Sequence, residues 1–321
     1  MILISNIDQL KGANSSVVHN MKFESIASFV RDTAFNELHK AIGRDTYTIL
    51  VAGGGDLIGH AASLARTAEA NLAIAGYVSS GSVKLGEMGT MVFQDEKYKI
   101  ASDKKIAALV NDSRMAGYRA LDSLLEYMER EPRTFTKYFD SPERRSNLNG
   151  FVHSTLIFNE AQYIDNNPVL FRSLKSFIRN AERQYIEPLL GNEFTTGFKS
   201  RMLAQQLTED DLTLHRYIAD VVAPAAIAEA IPYQAVKMDA NGIFVNSVGL
   251  SAGAENVERQ TSADTRRLVM AMTAMEEQSE TSLARLREYI YNNSTKLPGV
   301  RPVTLDTRST LNDDDRGFYF V

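Results

Sequence analysis

Few residues in this 321-residue chain invite a chemical reading. Val51-Ala52-Gly53-Gly54-Gly55-Asp56-Leu57-Ile58-Gly59 is the nearest approach to a phosphate-cradling glycine loop. In a dinucleotide loop, spaced glycines let the backbone close on a pyrophosphate. Counting from Gly53 and Gly55, the third glycine or a tolerated alanine would fall at position 58, which is Ile58. The segment reads instead as a flexible glycine turn opening a helix. No glycine–lysine–Ser/Thr motif occurs. The five histidines, His19, His39, His60, His153 and His215, show no metal-binding spacing and read as surface or boundary residues. With no cysteine, thiolate nucleophiles, disulfides and cysteine-containing metal sites are excluded. Asp103-Lys104-Lys105, Glu129-Arg130-Glu131, Glu143-Arg144-Arg145 and Asp313-Asp314-Asp315 read as solvated helix ends, linker and turn. No catalytic, cofactor-binding or metal-binding residue is assigned, no cofactor is expected, and the chain reads as a non-enzyme.

The elements around these residues are mostly helical. Apolar residues make up 44% of the chain, enough for a core at a length that suggests about two domains. The net charge of −5 argues against a protein that coats nucleic acid. No apolar run approaches a membrane span, and Met1 to Ser16 lacks the basic start and apolar core of a signal peptide. A soluble, globular protein, intracellular or particle-bound, is expected.

A weak internal repeat organises the rest. Ser28-Phe29-Val30-Arg31-Asp32 matches Ser176-Phe177-Ile178-Arg179-Asn180, and Ile42-Gly43 matches Leu190-Gly191. Val83-Lys84-Leu85 with Gly89 and Val92 matches Val236-Lys237-Met238 with Gly242 and Val245. Leu3, Ile4 and Asn6 match Leu156, Ile157 and Asn159. Leu124, Glu126, Tyr127 and Met128 match Leu286, Glu288, Tyr289 and Ile290.

Helical periodicity predicts helices over about 25–42, 55–77 and 102–130, with counterparts over about 174–189, 209–230 and 262–292. Thr208 and Asp211 are placed to cap the 209–230 helix. Pro188 is expected to end or kink its helix, and Pro224 to interrupt its own. Alternating residues around Gly86–Gly89 and Asn241-Gly242 predict a hairpin in each unit. The expected fold is mainly α: a tandem duplication of a helical-bundle unit with a β-hairpin inserted before the long last helix, plus an extended C-terminal tail. Residues 1–150 form the first unit, 151–298 the second, and 299–321 the tail or arm. The closing Gly317-Phe318-Tyr319-Phe320-Val321 packs either on its own chain or on a neighbour. Arg31 and Arg179, at equivalent places, make either internal salt bridges or an inter-subunit contact, and Glu126 and Glu288 pose the same choice.

Ser176-Phe177-Ile178-Arg179 followed by Tyr185-Ile186-Glu187-Pro188-Leu189-Leu190-Gly191 resembles the opening of tailed-phage head–tail connector (adaptor, or neck ring) proteins, where a first helix ends in a leucine–glycine turn. The chain as a whole resembles a poorly characterised family encoded beside capsid genes in phages and prophages of Bacteroides-type bacteria. The resemblance covers much of residues 25–130 and 170–293. It departs from the connector pattern in having two units, and in having His39-Lys40-Ala41-Ile42, without proline, before Gly43. It implies a structural virion protein that joins the portal to the tail and extends the DNA channel. Its partners would be copies of itself in a ring, commonly twelve-fold, the portal, tail or neck proteins, and double-stranded DNA passing non-specifically through the lumen, with no membrane. Its place would be the virion neck, and the host cytoplasm during assembly. Two alternatives stand beside it: another phage structural or accessory protein, for tail completion or on the capsid, and an enzyme with an unrecognised carboxylate site.

Overall fold

The computed structural model describes residues 2–14, 21–81, 84–86, 89–91, 103–234, 236–239, 242–245, 265–297 and 299–302. It divides into two compact units. One holds residues 1–149, 153–159 and 163–173, and the other holds 150–152, 160–162 and 174–321. The expectations for His19 and for Gly317–Val321 lie outside the described residues.

In the first unit, a buried dipeptide, Leu3-Ile4, precedes a short helix, Ile7–Ala13, whose N-cap Asn6 accepts from the Gln9 amide. Next comes Ala27–Thr33, a π-turn over Ala34–Leu38, and His39–Ile42. Gly43 (φ 79°) stops this run and opens Arg44–Ala52. The 26-residue helix Asp56–Gly81 and the 28-residue helix Asp103–Arg130 complete the frame. The same order recurs in the second unit. Pro168–Ala181 runs into a π-turn over Glu182–Ile186, then Glu187–Leu190, then Gly191 (φ 83°) and Asn192–Leu203. Glu209–Gln234 again has 26 residues and Thr265–Asn292 again 28.

The π-turns follow from the spacing of the buried residues. Ile26, Val30, Ala34, Leu38 and Ile42 are all 0% exposed and lie four residues apart. Leu174, Ile178, Glu182, Ile186 and Leu190 repeat the pattern, each at 3% or less. A regular α-helix advances four residues by 400°, so each step drifts about 40° and four steps drift about 160°. A locally underwound turn absorbs that drift and keeps the row on one face. Pro188 is not the cause, because the first unit has the same turn with Lys40 at that place.

Three expectations need correction. The hairpin does not stand as an architectural element: the described residues form a mainly α fold. Among the described residues, strand pairing consists of two ladders, Lys84–Gly86 with Gly89–Met91 and Val236–Asp239 with Gly242–Val245. Their strands are shorter than the usual five or six residues or so, and an isolated pair gains little in water. Pro224 does not interrupt its helix, which runs unbroken from Glu209 to Gln234 with Pro224 and Pro232 inside it. The lost hydrogen bond is offset by burial of Val221, Val222, Ala223, Ala225 and Ala226 around the proline. Finally, Leu156 and Ile157 are not the counterparts of Leu3 and Ile4. They lie within the Thr155–Ala161 helix, and Leu156 is exposed. The buried pair ahead of that helix is Phe151-Val152.

The capping box at the start of Glu209–Gln234 is complete. The Asp211 amide donates to Thr208 Oγ1 at 3.1 Å, and the Thr208 amide donates to Asp211 Oδ2 at 3.1 Å. Arg201 adds a two-pronged ion pair, at 2.6 and 3.0 Å. Burial works to raise the Asp211 pKa, but these bonds outweigh it and hold the carboxyl below the usual range. A depressed carboxylate pKa contributes stability above the unfolded value, and that contribution is lost as pH falls through the folded one. Asp211→Asn is therefore expected to cost about 1–2 kcal/mol at neutral pH, a penalty that shrinks towards zero as acid protonates the wild type. Urea midpoints at neutral and acid pH check it.

Candidate functional site

In the first unit the π-turn faces an open groove of about 420 Å³. Phe29, Thr33 and Glu37 come from the π-turn run, Leu72 and Gly76 from Asp56–Gly81, and Arg114 and Tyr118 from Asp103–Arg130. Arg172, at the start of Pro168–Ala181, closes one end. Its Nη2 donates to Asp122 Oδ1 at 2.8 Å, and its guanidinium lies over the Tyr118 ring at 4.3 Å. Thr155 Oγ1 donates to the other Asp122 oxygen at 2.7 Å. Burial raises the Tyr118 pKa, Glu37 adds to the rise, and Arg172 and Arg114 oppose it. Arg172 is thus engaged in structure. The groove offers an apolar floor with one acidic and one basic side, suited to holding a polar segment, and brings together no paired nucleophile and base.

In the second unit a polar groove of about 470 Å³ runs between Asp220 on Glu209–Gln234 and Glu277, Gln278 and Arg285 on Thr265–Asn292. Burial raises the Asp220 pKa against the pull of Arg285. Near the start of Thr265–Asn292, Val269 is 49% and Met270 is 64% exposed, with Met272 and Met275 half-buried beside them. Other large apolar or aromatic side chains stand out singly: Phe35 on the π-turn, Tyr163, Tyr233 and Tyr291.

The residues considered from sequence fall in separate places. Gly53 caps the end of Arg44–Ala52 with φ 76°, and a helix follows at Asp56, so the glycine run is a helix-to-helix turn with no strand before it. His39 and His60 lie edge-on to Tyr47 and Tyr127. His215 is half-buried, and desolvation lowers its pKa; its Nε2 lies 2.6 Å from the Phe151 carbonyl. Among the described residues, no group of three or more His, Asp or Glu is placed to hold a metal ion. Arg31 and Arg179 are both exposed. Glu126 pairs with Arg130 one turn away, and Glu288 is exposed. Among the described residues, no single helix is long and apolar enough to cross a membrane.

Three features were missed. Arg144 and Glu129, read from sequence as linker and helix-end surface, form a two-pronged ion pair, with Arg144 only 2% exposed. Glu69 and Glu182 are buried carboxylates, 0% and 3% exposed. Their places in apolar rows were the one signal, and residue type masked it. Glu182 occupies a step in the row of buried residues between Ile178 and Ile186, and Glu69 lies in the run of buried alanines from Ala61 to Ala75. Each accepts from the backbone of an equivalent dipeptide: the Ile4 amide donates to Glu69 and the Val152 amide to Glu182. Burial raises both pKa values, that of Glu69 to about 7.

No curated protein and no solved structure matches the chain. A family model matches residues 13–147 and 186–303, most of both units. The chain belongs to that family, DUF6712, a family of unknown function.

Proposed function

We propose that the chain is a structural protein of tailed-phage particles that assembles into a ring, commonly twelve-fold, joining the portal to the tail and extending the DNA channel. It would act in the virion neck, after assembly in the host cytoplasm, without catalysis and without a cofactor. The reading rests on the resemblance of Ser176–Gly191 to connector proteins. The observation that supports it best is the exposed apolar start of the Thr265–Asn292 helix. Val269 and Met270 face solvent there beside Met272 and Met275, and such adaptable methionine surfaces favour contact with protein. A ring needs two complementary faces on each subunit, unlike a two-fold dimer.

Mass measurement and electron imaging of the purified protein, alone and with portal protein, test the proposal. Closed rings, free or seated on portal, are expected. A monomer that ignores portal would refute it. The double variant Val269→Asp/Met270→Asp is expected to abolish ring formation. Its thermal midpoint should barely move, since exposed positions contribute within about 0.5 kcal/mol. Rings unaffected by both charges would remove this face from the assembly.

A further inference from the structure

We infer that Glu69 and Tyr47 form a proton-controlled latch on the Leu3–Ile4 segment, which undocks from the first unit when Glu69 loses its proton. The geometry is a closed set of three hydrogen bonds. The Leu3 amide donates to Tyr47 Oη at 2.9 Å, and the Ile4 amide donates to Glu69 Oε1 at 3.3 Å. The Tyr47 hydroxyl donates to Glu69 Oε2 at 2.6 Å. Glu69 and Ile4 are 0% exposed, Tyr47 1% and Leu3 4%, so lifting the dipeptide away brings the carboxyl to water. Ile4 otherwise packs with Leu10, Ile26, Val30 and Ala73, and the Asn14 side chain donates to Asn71 at 2.7 Å further along the segment.

Few charged groups face the carboxyl. Arg66, one turn earlier on the same helix, draws the Glu69 pKa down, as do Tyr47 and the Ile4 amide, but burial outweighs all three. Tyr47 comes from Arg44–Ala52, and burial together with the Glu69 charge pushes its hydroxyl well above the normal range. His39, from the end of the π-turn run, lies with its ring 4.6 Å from Tyr47. Burial and Arg44 lower its pKa, so it supplies no compensating charge near neutrality.

The sign follows from linkage. Docked, the carboxyl titrates near 7; undocked and hydrated, it returns to about 4.5. Docking therefore takes up a proton, and the docked form is fully favoured below about 4.5. As pH rises from there through 7, each unit favours undocking up to tenfold, and the effect then levels off. The full range is about 300-fold for complete hydration, the factor set by a shift from 4.5 to about 7. This inference does not depend on the connector reading.

Hydrogen exchange of the whole protein tests it, read by mass spectrometry on peptides covering Leu3–Ala13 across neutral pH. Rates are corrected for intrinsic exchange and referenced to the core peptide Leu121–Met128. Opening of the first peptide is expected to rise with pH by one to two orders of magnitude while the reference stays level. In Glu69→Gln the rise should vanish, since the amide carries no titrating proton. Tyr47→Phe removes a donor to the carboxylate, so the midpoint should move to higher pH, and this variant carries the test if Glu69→Gln fails to fold. A wild-type profile that is flat, or a rise that persists in Glu69→Gln, overturns the latch. So does an unmoved midpoint in Tyr47→Phe.

Discussion

Gly117→Ala is expected to destabilise the protein by about 2–3 kcal/mol, read as a lower urea or thermal midpoint. Helix propensity alone predicts the opposite, because alanine is favoured over glycine in a helix interior by about 1 kcal/mol. Packing decides the sign. A Cβ at Gly117 would lie 2.6 Å from Leu72 Cγ, 2.9 Å from Leu72 Cδ2 and 3.2 Å from the Leu72 backbone nitrogen. Leu72 borders the groove and its side chain can turn in part, but the backbone atom cannot move without shifting the Asp56–Gly81 helix.

The second unit shows how the contact is solved otherwise. Its place for Gly117 is filled by Ser279, whose hydroxyl donates to the Val221 carbonyl at 3.0 Å, and its place for Leu72 by Ala225. Removing bulk from Leu72 should therefore relieve the clash. Leu72→Ala alone costs about 2–5 kcal/mol as a buried truncation. Combined with Gly117→Ala, the loss is expected to fall short of the sum by about 1 kcal/mol or more. Additive losses, or a Gly117→Ala protein as stable as wild type, would show that these two helices do not pack as closely as the distances say.

Much of this frame could be read from sequence, and the reasons differ by element. The two long last helices announce themselves because their buried faces keep a regular period: Val110, Ser113, Gly117, Leu121, Leu124 and Met128 are all buried. The glycine stops after Ile42 and Leu190 were legible for the same local reason. Gly43 and Gly191 take φ near 80°, where other residues are strained. The π-turns were present as rows of buried residues at strict steps of four, but a helix reading that assumes 3.6 residues per turn tolerates such a row without asking what it costs. The hairpin expectation failed on length: alternation and an Asn-Gly pair can specify a local pairing, but strands of three or four residues do not make a layer beside helices of 26 and 28. The buried charges were hidden by type. Glu69, Glu182 and Arg144 belong to residues usually found in water, and the partners that permit burial lie far away in sequence, as with Arg144 and Glu129. Composition cannot report such pairs, and neither can a motif.

Arg144→Ala is expected to be more damaging still, at about 3–5 kcal/mol. Arg144 Nε donates to Glu129 Oε1 at 2.7 Å, and Nη2 donates to Oε2 at 2.9 Å. The guanidinium also lies 3.6 Å from the Phe139 ring centroid, and Nη1 reaches the Phe139 carbonyl. Truncation removes all of these contacts at once. The penalty has two sources that a second variant separates. One is lost packing on Phe139, which either neutral replacement shares. The other is the Glu129 carboxylate, which keeps its hydrogen bond with Tyr138 but loses its counter-charge, with its side chain only 22% exposed. Desolvation without a counter-charge is the costly half of a buried ion pair, and the pair itself contributes little beyond an apolar substitute of similar shape. The double variant Arg144→Met/Glu129→Leu should therefore recover most of the loss, leaving about 1 kcal/mol or so. Tyr138 is the check on that reasoning. It is buried beside Glu129, and with that burial the Glu129 charge helps to raise its pKa. The double variant removes the Glu129 charge and its hydrogen bond, which both raise the Tyr138 pKa, along with the weaker opposing pull of Arg144, so spectrophotometric titration of tyrosine should show one buried group ionising more readily than in wild type. Equal destabilisation in the single and double variants would assign the whole effect to packing on Phe139 and none to the ion pair.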